Sequence, residues 1–244
     1  MKRAIVIGAT SGIGKEVAQI LAAEGWKVGI AGRREALLTQ MKASDPGSYE
    51  YEILDVTMDD APDRLESLIS KIGGMDLYFH SSGYGMINPD LDPEQQMTTV
   101  ETNITGFVRL INIAFHYFRD QKYGHIAAIT SVAGTRGMGI NAAYSSSKRF
   151  QMTYLTALAQ LSENRKYNIR ITDIRPGFVK TGFLHHKYPM SMDAPYVAGK
   201  IVRGLLKGKR HMIIDWRYRM VIFAWKMIPE RLWEKINLYK MIRK

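Results

Sequence analysis

Short apolar runs recur along the chain and alternate with stretches of helical periodicity. The segment GKEVAQILAAEG, for example, carries Val17, Ala18, Leu21 and Ala22 at helical spacing and ends at Gly25. Strands that alternate with helices predict parallel βαβ units, and nearly continuous apolar strands predict a sheet that is covered on both faces. The runs occupy residues 4–8, 27–32, 51–56, 75–83, 125–131, 169–177 and 211–215.

This pattern predicts one α/β domain over residues 1–215, with a doubly wound parallel sheet of about seven strands and helices on both faces. Residues 216–244 follow as a basic, aromatic helical extension. With 244 residues and 46% apolar composition, the chain is long enough for a full core. The sequence contains no cysteine, which excludes disulfides and thiolate chemistry and fits a reducing, cytoplasmic compartment.

The N-terminal segment MKRAIVIGAT begins like a secretory signal, with two cations before an apolar run. The run is shorter than the roughly 7–15 residues of a signal core, so we predict a buried strand instead. No window of the sequence approaches the roughly 18 apolar residues of a membrane-spanning helix.

The segment GATSGIG at residues 8–14 follows the first strand and opens the first helix, which is the setting of the dinucleotide fingerprint in Rossmann-type domains. Gly8 allows the tight exit from the strand, Gly12 lets the backbone approach a pyrophosphate, and Gly14 lets helix and strand pack closely. The helix N-terminus supplies donors for the anion. An ordinary glycine-rich turn is the alternative.

The end of the second strand predicts which dinucleotide binds. NAD enzymes usually carry an acidic residue there for the ribose 2′-hydroxyl, but this sequence has Gly32 followed by Arg33 and Arg34. Guanidinium groups suit a 2′-phosphate, so NADP(H) is favoured over NAD(H). The alternative is that both arginines are solvated loop charges.

The segment AAYSSSKRF places Tyr144 four residues before Lys148, which makes the two side chains neighbours on one helix face. A free phenol has a pKa of about 10, and an adjacent ammonium group lowers the pKa toward the range useful for acid or base catalysis. A solvated helix face is the alternative that the pair alone leaves open.

Taken in order, these motifs resemble the short-chain dehydrogenase/reductase family from Ile5 to about Asp215. The segment LDVT at 54–57 is similar to the family's adenine-contacting stretch. The segment HSSG at 80–83 stands where the family commonly has Asn-Asn-Ala-Gly, and RPGFVKTGF at 175–183 resembles the family's Pro-Gly segment. The departure at 80–83 affects the side-chain contacts expected there, and we predict that His80 is a core residue and not a base.

The resemblance implies an NAD(P)-dependent oxidoreductase with catalytic residues Asn103, Ser131, Tyr144 and Lys148. Tyr144 would exchange a proton with the substrate oxygen, Ser131 would polarise that oxygen, and Lys148 would also bind the nicotinamide ribose. Asn103 would hold a water that connects Lys148 to solvent. The cofactor-binding set is Gly8, Thr10, Ser11, Gly12, Ile13, Gly14, Arg33, Arg34, Asp55, Val56, Ser82, Gly83, Tyr144, Lys148, Pro176, Gly177, Val179 and Thr181. A homodimer or homotetramer is also expected.

Residues 182–195 correspond to the family's mobile flap over the substrate, and they mix apolar residues with His185, His186 and Lys187. An apolar flap with a few cations suits an apolar or amphiphilic carbonyl substrate, whereas an ordinary exposed loop is the alternative. The two histidines have no acidic or cysteine partner at ligand spacing, so no metal site is expected.

The formal net charge of +11 is concentrated at the C-terminus, where residues 209–244 contain ten Lys/Arg and three Asp/Glu. Aromatic residues are interleaved with these cations, which is typical of helices that lie in a membrane interface. The alternative is a pair of helices that cover the domain edge or contact another subunit. Nucleic-acid binding is disfavoured because no recognised binding motif is present. The aromatic residues are Trp216, Tyr218, Phe223, Trp225, Trp233 and Tyr239.

Two functions therefore remain in view from the sequence. The first is an NADPH-dependent oxidoreductase acting on a carbonyl or secondary alcohol. The second is a non-catalytic dinucleotide-binding redox sensor that recruits a partner through the tail. The presence of Tyr144 and Lys148 together with Ser131 and Asn103 favours the enzyme.

Overall fold

A computed structural model describes residues 1–182, 188 and 190–238 of the chain. Its main sheet has seven strands in the order β3-β2-β1-β4-β5-β6-β9, and every neighbouring pair is parallel. These strands are β1 (Arg3–Ile7), β2 (Lys27–Gly32), β3 (Tyr49–Ile53), β4 (Leu77–His80), β5 (Gly124–Ile129), β6 (Ile169–Arg175) and β9 (His211–Ile213). A separate two-stranded ladder joins β7 (Val179–Lys180) to β8 (Met192–Asp193).

The predicted seven-stranded parallel sheet is confirmed, and each apolar run supplies one of its strands. Several strands are shorter than their runs because the runs continue into the loops at the carboxyl edge. The run at 75–83, for example, pairs only over Leu77–His80, after which the chain turns away toward the functional site.

Helices follow the strands as the periodicity predicts. They are α1 (Gly12–Ala23), α2 (Glu35–Ser44), α3 (Ala61–Lys71), α4 (Pro93–Val100), α5 (Gly106–Gln121), α6 (Ala142–Arg165), α7 (Ala194–Leu206), α8 (Trp216–Met227) and α9 (Glu230–Trp233). A π-helical turn (Glu101–Thr105) precedes α5, and two 3₁₀ turns (Val132–Thr135 and Gly139–Asn141) lie between β5 and α6. Within the described ranges, no helix is both long and apolar enough to cross a bilayer.

Two apolar clusters cover the two faces of the sheet. Helices α1, α2, α7 and α8 bury their apolar sides against one face, and α3, α5 and α6 cover the other. The C-terminal extension takes part in this core, because Tyr218 and Ile222 of α8 are buried in the first cluster. Asp215 caps the start of helix α8, because its carboxylate accepts a hydrogen bond from the Arg217 backbone N–H.

From β1 the sheet extends in opposite directions, since β2 and β3 lie on one side of it and β4, β5, β6 and β9 lie on the other. In doubly wound sheets, ligands bind at the carboxyl edge beside such a switch point. The predicted site segments follow the ends of β1, β2, β3, β4, β5 and β6, so the topology gathers them along this edge.

Candidate active site

At the turn from β1 into α1, the end of β1, the start of α1 and the end of β4 lie very close together. Gly8 and Gly12 both have positive φ, of 82° and 55°, a conformation that favours glycine. A Cβ on Gly8 would lie 2.8 Å from the backbone nitrogen of Ser82, and a Cβ on Gly14 would collide with the Gly8 carbonyl. The turn therefore packs against the end of β4 with backbone exposed at the helix start, as a pyrophosphate cradle requires.

Arg34 lies over this turn and contacts both hydroxyl residues in it. Its Nη2 donates to Thr10 Oγ1 and to Ser11 Oγ, each at 2.7 Å. Arg33 points elsewhere: its side chain is 75% exposed and its nearest carboxylate, that of Asp55, is 3.8 Å away. The two arginines predicted as equivalent are therefore unequal, and Arg34 is the one at the turn.

Gly32 leaves no space for the acidic residue that would mark an NAD site. A Cβ built there would lie 2.9 Å from Thr10 Cγ2, which is in turn held in place by Arg34. Beyond the next strand, the Asp55 carboxylate accepts hydrogen bonds from both the backbone N–H and the hydroxyl of Thr57. The adjacent Val56 is buried against Gly106 at the start of α5.

The Pro176–Gly177 segment returns the chain to the glycine turn. The Pro176 carbonyl accepts a hydrogen bond from the Val132 backbone N–H. Thr181 lies so close to the turn that a Cβ on Gly12 would be 3.0 Å from its Cγ2. Between them, Val179 pairs with Met192 in the small ladder. The segment thus packs against the glycine turn at Gly12, whereas Arg34 contacts Thr10 and Ser11. Of the other cofactor residues predicted here, Ile13 packs against the first apolar cluster.

The predicted catalytic group is assembled on α6 and the end of β5. Lys148 is buried, and its Nζ donates to the Ile129 carbonyl at 3.0 Å. The same nitrogen lies 5.8 Å from the centre of the Tyr144 ring. Ser131 follows β5 directly, and its side chain forms a hydrogen bond with Tyr144. The structure thereby brings together Ser131, Tyr144 and Lys148 beside Gly83, whose added Cβ would lie 3.5 Å from Lys148 Nζ.

The pKa of Tyr144 departs from the direction that the sequence predicts. Burial raises the pKa of the phenol, and the hydrogen bond with Ser131 lowers it only in part. The ammonium of Lys148 is itself destabilised by burial, which lowers its pKa to about 7, with Asp173 acting in the opposite direction. The pKa of Tyr144 is thus raised where the sequence predicts that Lys148 lowers it, and burial is the reason.

Asn103 lies in the π-helical turn, where its side chain ties two segments together. Its Oδ1 accepts from the Tyr84 backbone N–H, and its Nδ2 donates to the Tyr84 carbonyl and to Ser147 Oγ. Its own backbone carbonyl accepts a hydrogen bond from Gln151 Nε2 at 2.8 Å. The Asn103 backbone carbonyl therefore has a protein partner in Gln151, which the sequence did not indicate. The water predicted for Asn103 stays a prediction.

His80 is a fully buried core residue, as predicted. Its Nδ1 shares a hydrogen bond of 2.9 Å with the Tyr78 hydroxyl, and its ring packs edge-on against Phe107. Burial, together with the charge of Lys148, lowers the pKa of His80 to about 3. The imidazole is therefore neutral at physiological pH.

The flap is described only in part, since Phe183, Leu184, His185, His186 and Lys187 lie outside the described residues. Tyr188 stacks on Phe178 with ring centres 4.2 Å apart, which places an apolar surface beside the Pro-Gly segment. In the part of the chain that the structure describes, no cluster of His, Cys, Asp or Glu could hold a metal ion.

The tail contacts the segment that follows Ser131, which the sequence did not reveal. The Arg136 guanidinium donates to the carbonyls of Trp225, Lys226 and Ile228 at the end of α8. The Trp233 indole nitrogen donates to the Gly137 carbonyl at 2.7 Å. These bonds join residues that are about ninety positions apart, so no local pattern could have predicted them.

Helix α8 also presents an apolar stripe to solvent. Trp216, Met220, Phe223 and Met227 are 70%, 60%, 63% and 68% exposed, and their spacing puts them on one helix face. Arg219 and Lys226 are exposed beside the stripe, and α8 contains no acidic residue. Tyr239 and the residues after it lie outside the described part of the chain.

Comparison with known sequences finds relatives over most of the chain. The family model described as short chain dehydrogenase matches residues 2–191. An uncharacterized oxidoreductase of Myxococcus xanthus is 31% identical over 243 residues, covering 96% of this chain and 95% of that protein.

Solved structures with the same fold include two that hold nicotinamide cofactors. An actinorhodin polyketide ketoreductase solved with NADPH has a TM-score of 0.75 at 22% identity, covering 87% of this chain and 95% of its own. A 3-ketoacyl-(acyl-carrier-protein) reductase from Brucella melitensis, complexed with NADH, has a TM-score of 0.78 at 19% identity, covering 88% and 96%. At these identities the likeness establishes the fold.

Proposed function

The chain belongs to the short chain dehydrogenase family of NAD(P)-dependent oxidoreductases, and from that premise we propose that it uses NADPH to interconvert a carbonyl and a secondary alcohol. The observation that carries this proposal is the grouping of Ser131, Tyr144 and Lys148 beside Gly83, which follows the segment that packs against the glycine turn. We further propose that the substrate is apolar or lipid-like and that α8 contacts a membrane.

The residues at the carboxyl edge fit a dinucleotide. The turn at Gly8 and Gly12 would cradle the pyrophosphate, and the segments at Asp55 and at Pro176 would contact other parts of the dinucleotide. When bound, the nicotinamide supplies or accepts the hydride. The protein then has to orient the substrate oxygen and move a proton at that atom.

In this proposal Tyr144 exchanges the proton with the substrate oxygen. Ser131 holds the same oxygen, because its hydroxyl already contacts the Tyr144 side chain. Burial raises the pKa of Tyr144, which keeps the phenol protonated and able to donate in the reductive direction. Lys148, fixed at the Ile129 carbonyl, supplies positive charge near the phenolate that forms when the proton leaves.

Preference for NADPH is supported by Arg34 and Gly32. The Arg34 guanidinium and the hydroxyls of Thr10 and Ser11 form one cluster of donors at the turn, which suits a 2′-phosphate. The Thr10 methyl group fills the space in which an acidic side chain at position 32 would start. The solved relatives do not decide between cofactors, since one holds NADPH and another NADH.

Turnover of NADPH tests the proposed reaction. The purified full chain is incubated with NADPH or NADH and with a panel of ketones that ranges from small, water-soluble compounds to long-chain and polyprenyl compounds. We expect oxidation of NADPH with the apolar ketones and a higher kcat/KM than with NADH. Binding of NADPH without turnover of any ketone or matching alcohol would instead favour the redox-sensor function.

The membrane contact is supported by the charge pattern of α8. Its exposed stripe from Trp216 to Met227 is flanked by Arg219 and Lys226, which suits anionic headgroups at an inner, cytoplasmic membrane face. Pairing of the stripe with the same stripe of a second copy would bring like charges together without any acidic residue of α8 to offset them. The homodimer or homotetramer expected from the family remains a prediction.

Sedimentation with anionic liposomes tests this contact. Truncation at Asp215 is a poor test, because it removes Tyr218 and Ile222 from the core. We instead compare the double variant Met220→Ser/Phe223→Ser with the control Met58→Ser/Met97→Ser, whose methionines are 57% and 55% exposed elsewhere. Salt-sensitive binding that only the α8 variant loses is the expected result. Equal binding by both variants, or none by the wild type at low salt, would remove the membrane from the proposal.

A further inference from the structure

We propose that Gln151 is a positioning residue of this active site, whose buried amide links the Lys148 ammonium group to the Asn103 backbone carbonyl. Its Oε1 accepts from Lys148 Nζ at 2.9 Å, and its Nε2 donates to Asn103 O at 2.8 Å. The inference rests on the proposed function, because it assigns Gln151 a part in orienting the lysine of that site.

The two contacts follow from helix geometry. Gln151 lies three residues after Lys148 on α6, so the two side chains are neighbours on one face. Both are buried, and Gln151 has no exposed surface. The Asn103 carbonyl, in the π-helical turn, meets the amide on the side away from Lys148. The Gln151 side chain therefore links helix α6 to this turn.

The partners fix the orientation of the amide. An ammonium group only donates hydrogen bonds and a backbone carbonyl only accepts them. A flipped amide would therefore place its NH₂ against the Lys148 ammonium and its oxygen against the Asn103 carbonyl, which are two repulsive contacts. The chemistry of the partners thus selects a single arrangement.

Packing alone does not account for an amide at this position. The next three buried positions of α6, Met152, Leu155 and Leu158, are filled by apolar side chains. A buried amide is costly unless its oxygen and nitrogen are both paired. Gln151 pairs both atoms, because its oxygen accepts from Lys148 Nζ and its nitrogen donates to the Asn103 backbone carbonyl.

The hydrogen bonds of Lys148 show what this link achieves. An ammonium group has three donors, and within the described residues two of them are directed to Ile129 O and Gln151 Oε1. Gly83 lies beside the same nitrogen, because a Cβ built on it would be 3.5 Å from Nζ. In this inference, Gln151 fixes the rotation of the ammonium and leaves its third proton for the cofactor or Tyr144.

The link is electrostatic as well as geometric. The ionisable groups around Lys148 are Asp173 on β6, which favours the ammonium, His80 on β4, which is neutral, and Tyr144 on its own helix. The Asp173 carboxylate also forms an ion pair with Arg175 and accepts a hydrogen bond from the Thr130 hydroxyl, so these groups offset most of its charge. Gln151 Oε1 is the polar side-chain oxygen in direct contact with Nζ. A carboxamide neither gains nor loses a proton near neutral pH, so Gln151 positions Lys148 without relaying its proton.

The test is the pKa of Lys148 itself, measured by NMR on the full chain with lysine labelled at Cε and assigned with Lys148→Arg. Replacing the acceptor in Gln151→Met should lower this pKa, and adding charge in Gln151→Glu should raise it by about 1–3 units. Met152→Leu, a neighbouring buried change on the same helix, serves as the control and should leave it unmoved.

Opposite shifts in the two Gln151 variants support positioning, because a merely structural role would change stability without this sign reversal. An unchanged pKa in both would overturn the inference. Should Gln151→Met fail to fold, Gln151→Leu takes its place as the variant without an acceptor, and opposite shifts are still required. The measurement needs no substrate, so a failure of the proposed reaction would appear separately, as a wild type that binds NADPH and turns over no carbonyl compound.

Discussion

The Tyr218 hydroxyl accepts a hydrogen bond of 3.0 Å from the Phe178 backbone N–H. The same hydroxyl donates to the Met190 carbonyl, and its ring lies where a Cβ on Gly177 would be. One aromatic side chain of the C-terminal extension therefore contacts the Pro-Gly segment at Gly177 and Phe178 and the flap at Met190. This explains why Gly177 is required here: any larger residue would displace Tyr218.

We expect Tyr218→Phe to lower the free energy of unfolding by about 1–3 kcal/mol, since it leaves the Phe178 N–H and the Met190 carbonyl without their shared partner. The KM for substrate should rise more than kcat falls, because the flap is loosened while Ser131 and Tyr144 stay in place. Urea unfolding and steady-state kinetics measure the two effects. Tyr123→Phe, which alters a tyrosine that is 43% exposed, is the control. Wild-type values for both quantities would show that Tyr218 does not support the flap.

Arg136 should hold the end of α8 against the segment that follows Ser131. Its guanidinium donates to carbonyls that terminate the helix, and it lies 5.8 Å from the centre of the Trp233 ring. Arg136→Gln should therefore increase amide hydrogen exchange over 225–233 with little change in α1 or the sheet. Arg64→Gln, which breaks an exposed ion pair on α3, is the matched control. Equal exchange in both variants would contradict the assigned role of Arg136.

Arg34 should matter more than Arg33 for the choice of cofactor. Loss of a charge-assisted hydrogen bond costs about 1.5–3 kcal/mol, so Arg34→Ala should raise the Kd for NADPH by roughly 10–150-fold and leave that for NADH nearly unchanged. Arg33→Ala, which removes an exposed charge, is the built-in control. Fluorescence titration of both cofactors measures the effect. Similar Kd values for NADPH and NADH in the wild type would contradict the phosphate site.

The free energy of unfolding should fall as the pH is lowered through the range in which the histidines of the unfolded chain gain a proton. Burial lowers the pKa of His80 to about 3, against about 6.5 in the unfolded chain, so between these values the unfolded state binds more protons. His80 thus contributes a loss of about 2 kcal/mol on going from neutral pH to pH 5. His125, whose pKa burial lowers to about 4, acts with the same sign.

Urea unfolding at several pH values separates the two histidines. His80→Asn should flatten the pH dependence by about the stated amount, and the residual slope should shrink further in His80→Asn/His125→Gln. A pH dependence identical to that of the wild type in His80→Asn would show that His80 is not the buried neutral imidazole described here.

The sequence predicts the parts of the fold and the site that are encoded locally. The glycine turn, the end of β2 and the Tyr144–Lys148 pair each lie within a few residues, and strand-helix alternation is enough to place them at one edge of the sheet. Arg33 and Arg34 could not be distinguished, because adjacent loop residues point in different directions only once Thr10 is in position.

Contacts between distant segments were beyond the reach of the sequence. Gln151 meets Asn103 across 48 positions, and Arg136 meets Trp225 across 89. These contacts depend on how α6, the π-helical turn and α8 pack, and hydrophobic periodicity does not predict that packing. The direction of the Tyr144 pKa was missed for a related reason: spacing identifies the charged neighbour, but burial, which only the fold determines, has the larger effect.

Transfer of deuterium from 4-deuterated NADPH to a ketone, compared between the wild type and Tyr144→Phe, tests the central claim most directly. The substitution removes one hydroxyl and little volume, so NADPH should bind with an unchanged Kd. The account predicts deuterated alcohol from the wild type and a rate at least about 100-fold lower from Tyr144→Phe. Deuterium transfer by Tyr144→Phe at the wild-type rate, with normal NADPH binding, would contradict the role of Tyr144 as the acid and base of this site.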